Sequence, residues 1–256
     1  MSKSVAIVTG ASSGIGRATA LRLAQDFSTV VLVARRLSEL DAVADQVRAA
    51  GAEPLALAGD LSTPAAPEQV VARTLEAAGR IDALLNIAGA VPGLDLFQMD
   101  DAQWDAAFAL KFHGARRLTL RAWDALKAAR GSVVLISGAT ADAPTAAQAA
   151  VGTINAAIEA MMKAFADRGI ADGVQVNAVS PGAVMTDRRM GMIQAWAAAH
   201  DVGVEAAKAT LLMKAGIGRY GTPEEIANLM AYLVSPPARW MTGSVLRMDG
   251  GETRSI

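Results

Sequence analysis

The stretch VTGASSGIG carries Gly10, Gly14 and Gly16 between a β-branched run and the start of a helical pattern. Glycines at such a junction permit a tight turn and let backbone N–H groups approach a phosphate. The helix N-terminus that follows favours negative charge. With a strand before and a helix after, the triplet points to dinucleotide binding, and Ser12, Ser13 and Ile15 share the loop. The end of the next apolar run should meet the adenosine ribose. An acidic residue there accepts the ribose hydroxyls of NAD, whereas a basic one accommodates the 2′-phosphate of NADP. The chain offers Ala34, Arg35 and Arg36, with no carboxylate before Glu39. A guanidinium grips a phosphate through parallel N–H donors, so NADP(H) is expected over NAD(H). The competing account makes the two arginines solvated residues that open a helix.

Redox chemistry needs a proton donor beside the nucleotide, and the stretch AVGTINAAIEAMMKAF, residues 150–165, is a helix with hardly a charge on it. Totals narrow the alternatives. The 256 residues are 52% hydrophobic and 19% charged with a net charge of −1, which describes a buried globular core. No basic block points to nucleic acid or an anionic membrane. There are no cysteines, and His113 and His200 alone cannot build a histidine-rich metal site. No metal is expected. The apolar run in MSKSVAIVTGA is too short for a signal peptide or a membrane span, so a cytoplasmic protein is expected.

The elements that must position these residues alternate along the chain. SVAIVTG, STVVLVARR, EPLALAGD, IDALLNIAGA, GSVVLISGA, GVQVNAVSPG and GSVLRMDGG read as buried strands. Helical stretches separate them. The first carries Ile15, Ala18, Leu21 and Leu23 at helical spacing, the second closes on Gly51, and TPEEIANLMAYLV begins with Thr222 as a cap. The fold class is therefore α/β: one Rossmann-type doubly wound domain over 1–256, with a parallel sheet of about seven strands and helices on both faces. The least regular part, Pro181 to Gly218, holds Met185, Met190, Met192 and Met213, and a substrate lid is expected at about 184–216. Methionines filling an ordinary helical interface are the other reading.

Taken together, TGASSGIG at 9–16, GDL with Asp60 and Leu61, NIAG at 86–89, VNAVSPGAVMT at 176–186 and GRYGTPEEIA…TGSVLRMDGG resemble the short-chain dehydrogenase/reductase family. The resemblance runs from about Val5 to Gly251. It implies that Asp60 and Asn86 sit beside the adenine and the adjoining strand. It also implies a cofactor site that includes Leu61, Ala88, Gly89, Pro181 and Gly182, with Thr186 on the nicotinamide carboxamide.

The family further implies a catalytic tetrad of Asn, Ser, Tyr and Lys, and each position holds something else. Seven residues after Trp104 stands Lys111; the second serine after VVLIS is Gly138, with Ser137 beside it; thirteen residues on stands Val151; four further stands Asn155. Losing a positioned general acid costs roughly 10²–10⁴ in rate, and losing an oxyanion donor costs on the order of 10²–10³. The ordinary proton relay is thus not expected to operate, and no confident catalytic residue replaces it. Tyr220 and Tyr232 match no catalytic position, and Ser137, Thr140, Thr145 and Thr153 have easy structural roles. Asn and Lys have exchanged places, so Lys111 either reaches inward, to a ribose or an anion, or is a solvated residue snorkelling past apolar neighbours.

Two functions stay open. One is an NADP(H)-dependent oxidoreductase with a displaced relay; the other is a non-catalytic nucleotide-binding subunit, sensor or assembly partner. The expected ligand is a small molecule with an apolar body, without nucleic acid or membrane. By resemblance, a homodimer or homotetramer would form through helices near 101–129 and 150–168.

Overall fold

A computed structural model describes residues 4–254. Seven strands form one sheet: β1 (Val5–Thr9), β2 (Thr29–Ala34), β3 (Glu53–Ala58), β4 (Ala83–Asn86), β5 (Ser132–Ile136), β6 (Gln175–Pro181) and β7 (Val245–Met248). All pair in parallel, in the order β3-β2-β1-β4-β5-β6-β7. Helices α1 (Gly14–Leu23), α2 (Leu37–Ala49) and α3 (Ala65–Ala78) connect the first four strands. Helix α4 (Asp101–Ala107) passes through a π-helical turn (Phe108–Gly114) into α5 (Ala115–Ala129). The long α6 (Ala149–Asp172) precedes β6, and α7 (Asp187–Ala199), α8 (Val204–Ala215) and α9 (Pro223–Leu233) precede β7.

Alternation along each strand sorts side chains onto two cores. Ala6, Val8, Val30 and Leu32 pack with Leu23, Leu40, Ile226 and Met230 of α1, α2 and α9. Val5, Ile7, Val31 and Val33 turn the other way, onto Val70, Leu118, Leu126, Ile158 and Met162 of α3, α5 and α6. The five inner strands are therefore buried on both faces, which is why they read as unbroken apolar runs. The order reverses between β1 and β4. The crevice beyond the carboxyl ends of those strands is where such a sheet accepts a ligand.

Thr222 caps α9 as expected. Its hydroxyl accepts from Glu225 N at 3.3 Å, Glu225 Oε2 accepts from Thr222 N at 2.8 Å, and Pro223 opens the first turn. The segment around 184–216 differs from its expected irregularity. Thr186 caps α7, Gly203 stands at the N-cap of α8, and Gly216 closes it in the left-handed region at φ 68°. The two helices pack through Ile193, Ala197 and Ala207, with Met185 and Trp196 against them. Its methionines share no single interface, since Met213 is 75% exposed and Met192 lines the cavity described below.

Candidate active site

The glycine loop is built for contact with backbone. A Cβ at position 16 would lie 2.1 Å from the Gly10 carbonyl oxygen, so only glycine lets α1 begin against the end of β1. Gly10 has φ 67°, and a Cβ there would press on Ala88 Cα at 3.1 Å. Ser13 stands at the N-cap of α1 and its side chain makes no cap bond, while the first turn has no acidic residue. The N–H groups of α1 consequently face outward with their positive end open. Thr9 ties this loop to the next strand: its hydroxyl accepts from Ile87 N at 2.8 Å and Ala88 N at 2.9 Å.

A cavity of about 500 Å³ spans the carboxyl ends of the strands. Gly10, Ser12, Ser13, Gly14, Ile15 and Gly16 form one wall. Arg35 and Leu61 lie toward the β2 and β3 ends, Ala88 and Gly89 beyond β4, Pro181 at the end of β6, and Gly182 and Thr186 beyond it. Arg36 is taken by Glu39, whose Oε1 accepts from its Nε at 2.5 Å, whereas Arg35 is exposed and its charge falls on Asp60. Asp60 and Asn86 lie outside the lining. Asp60 accepts from Ser62 N and Oγ, bonds that hold its carboxyl below the usual range, and Asn86 is buried with its amide donating to Thr119. Thr186 caps α7 by accepting from Arg189 N at 3.2 Å, and its methyl rests against the Gly14 turn.

Lys111, Gly138, Val151 and Asn155 all line this cavity. Lys111 reaches inward from the π-helical turn. Its stem lies along Gly89, where a Cβ would come within 3.0 Å of Cδ, and its ammonium donates to Asn155 Oδ1 at 2.5 Å and to the Ser137 carbonyl at 3.2 Å. Asn155 is 2% exposed, and its amide donates to Thr140 Oγ1 at 2.8 Å. Gly138 leaves the space this arrangement needs, because a Cβ there would stand 2.7 Å from Asn155 Nδ2. Val151 lines the cavity and packs beside Val91, Ala150 and Ile154, presenting methyl groups only. Lys111, Gly138 and Asn155 thus fit together as one packed group.

Burial pushes the Lys111 ammonium down to about 8; the Arg188 charge adds to the fall and Glu159 opposes it. Glu159, one turn beyond Asn155 on α6, accepts from Ser137 Oγ at 2.7 Å, and burial raises its carboxyl above the ordinary range. Arg188, in the first turn of α7, also lines the cavity and donates to the Val91 carbonyl at 2.5 Å. Glu159 and Arg188 are not singled out by their types, while Thr140 reads as structural and Thr9 enters only as part of the glycine motif. Only the one-turn spacing of Glu159 from Asn155 signalled a shared face. His113 lies outside the cavity lining, with Nδ1 buried and unbonded.

Known proteins agree with this frame. A family model described as Enoyl-(Acyl carrier protein) reductase matches residues 10–253. An uncharacterized oxidoreductase of Mycobacterium tuberculosis is 34% identical over 251 residues, covering 97% of this chain and 92% of its own. A short-chain reductase of Streptomyces niveus is 32% identical over 250 residues, covering 97% and 94%. The crystal structure of L-sorbose reductase from Gluconobacter frateurii, complexed with NADPH and L-sorbose, superposes with a TM-score of 0.93 at 29% identity, covering 100% of this chain and 98% of that one. The chain belongs to the short-chain dehydrogenase/reductase family. Among the described residues, no helix is long and apolar enough to cross a membrane, and no group of three or more His, Cys, Asp or Glu could hold a metal ion.

Proposed function

We propose that this chain is an NADP(H)-dependent oxidoreductase in which Lys111, positioned by Asn155, takes over the polar task of the missing tetrad. The observation that carries the reading is the placement of the Lys111 ammonium in the cavity that begins at the glycine loop. The residues suit the nucleotide: backbone N–H groups of the glycine turn for the diphosphate, Arg35 for a 2′-phosphate, and Thr186 near the carboxamide. The NADPH in the related sorbose reductase supports the same choice. When bound, the cofactor supplies or accepts a hydride.

Everything else falls to side chains of this chain. Negative charge on a carbonyl oxygen near Val151 finds no phenol, and Gly138 offers no hydroxyl. The Lys111 ammonium stands beside that space, and a lysine brought down to about 8 holds a proton it can release near neutral pH. Asn155 accepts one of its N–H bonds and fixes its direction. Apolar Val151 keeps water away from one side.

A second reading, a nucleotide-binding protein without turnover, is favoured by the packing of Val151 where the family has its phenol. Fluorescence titration with NADPH and an NADPH-oxidation assay over ketones, aldehydes and quinones separate the two. Turnover above background, slower than a phenol relay by roughly 10²–10⁴, is expected. Tight NADPH binding with no turnover over the whole panel would put the second reading in its place.

A further inference from the structure

Beyond Arg35 and Arg36 the cavity is lined, among the described residues, by three cations, Lys111, Arg188 and Arg189, of which the first two have different anchors. Lys111 rises from the π-helical turn and Arg188 from the start of α7, and each is held by protein carbonyl oxygens rather than by a carboxylate: Ser137 and Asn155 for the lysine, Val91 for the arginine. Neither forms an ion pair among the described residues, and they are close enough for the guanidinium to depress the ammonium. Of the three carboxylates that line the cavity among the described residues, two are engaged elsewhere and Asp187 adjoins Arg188 in the chain without an ion pair to it. Glu39 is bound to Arg36, Glu252 accepts from Ala183 N at 2.8 Å, and Asp187 is exposed at the first residue of α7. Glu159 stands behind Ser137 and is pushed toward its neutral form. Val91, Val151 and Met192 make the neighbouring wall apolar.

Two cations facing one space, offset only in part by Glu159, repel each other, and an anion placed between them removes that repulsion. Arg188 spends one nitrogen on Val91, so its other N–H groups remain for a carboxylate, which matches a guanidinium fork. We infer that the substrate is an oxo acid with an apolar body, its carboxylate taken by Arg188 and its carbonyl oxygen facing Lys111. The inference rests on the oxidoreductase reading above and names the substrate class for the same site.

The test is calorimetric titration of protein saturated with NADP⁺, which keeps anions off the glycine loop, with benzoylformate and with its neutral methyl ester. The acid should bind at least about tenfold more tightly than the ester, as a hydrogen-bonded ion pair warrants. Arg188→Gln should bring the two affinities together. Arg219→Gln, outside the cavity lining and paired with Glu225, should preserve the difference. Equal affinities in the wild-type protein, binding of neither compound, or a preference that survives Arg188→Gln would overturn the inference. Titration of NADP⁺ alone separates the two claims. Nucleotide binding without preference for the acid overturns only the oxo acid. Preference for the acid without nucleotide binding overturns only the cofactor reading. Loss of both overturns both.

Discussion

Asn155 bonds to Lys111 through its carbonyl oxygen and to Thr140 through its amide, and the missing side chain of Gly138 is what admits it. Gly138→Ser should therefore cost about 1–3 kcal/mol of stability through overpacking. The double variant with Asn155→Ala should cost less than the two single losses added together, as contacting residues do. Denaturant unfolding of the four proteins checks this, and strict additivity would remove the coupling. Lys111 also leaves a signature in pH. The unfolded lysine titrates near 10.5 and the folded one near 8, with Arg188 lowering and Glu159 raising it. The folded chain thus binds fewer protons than the unfolded one between about 8 and 10.5, and its stability should rise with pH across that window. The full effect is on the order of 3 kcal/mol, reduced by water in the cavity. Measured as the wild-type unfolding free energy minus that of Lys111→Met, the difference should grow from pH 7 upward toward pH 10. A flat difference would mean an ammonium in contact with bulk solvent.

At the level of elements, the site is assembled by starts and interruptions of helices. The open first turn of α1 lines one wall of the cavity, the π-helical turn carries Lys111 along Gly89, and the N-cap and first turn of α7 deliver Thr186 and Arg188. Arg35, just after β2, is the proposed contact for a 2′-phosphate. Arg35→Ala should weaken NADPH binding about 10- to 100-fold, the worth of hydrogen bonds to a charged group, while leaving NADH affinity nearly unchanged. Equal losses for both nucleotides would place Arg35 outside the 2′-phosphate site. Helix α9 is remote from this work. Thr222→Ala breaks its capping box and should cost about 1 kcal/mol in thermal or denaturant unfolding, with NADPH affinity intact. A change in affinity would tie α9 to the cavity.

Across the molecule, the sheet and its order follow from a feature visible in the residues: runs such as VAIVT and TVVLVA are β-branched, uncharged and closed by glycine or arginine, as strands covered on both faces must be. The glycine loop was equally legible, because close backbone approach admits no other residue at position 16. Helices α7 and α8 were not, since alanine and methionine on several faces give little contrast between a buried and an exposed side. Whether Lys111 pointed inward was also beyond a periodic reading, because a π-helical turn breaks the 3.6-residue repeat at that residue. Ser137, just after β5, and Glu159 of α6 come together only once the sheet is folded.

One measurement bears on the account most directly: the rate of carbonyl-dependent NADPH oxidation by Lys111→Met and by the wild-type protein, each at saturating NADPH with its dissociation constant determined alongside. A fall of at least about 10² in rate, with nucleotide affinity held within a few-fold, is the predicted result. Equal rates in the two proteins would contradict it.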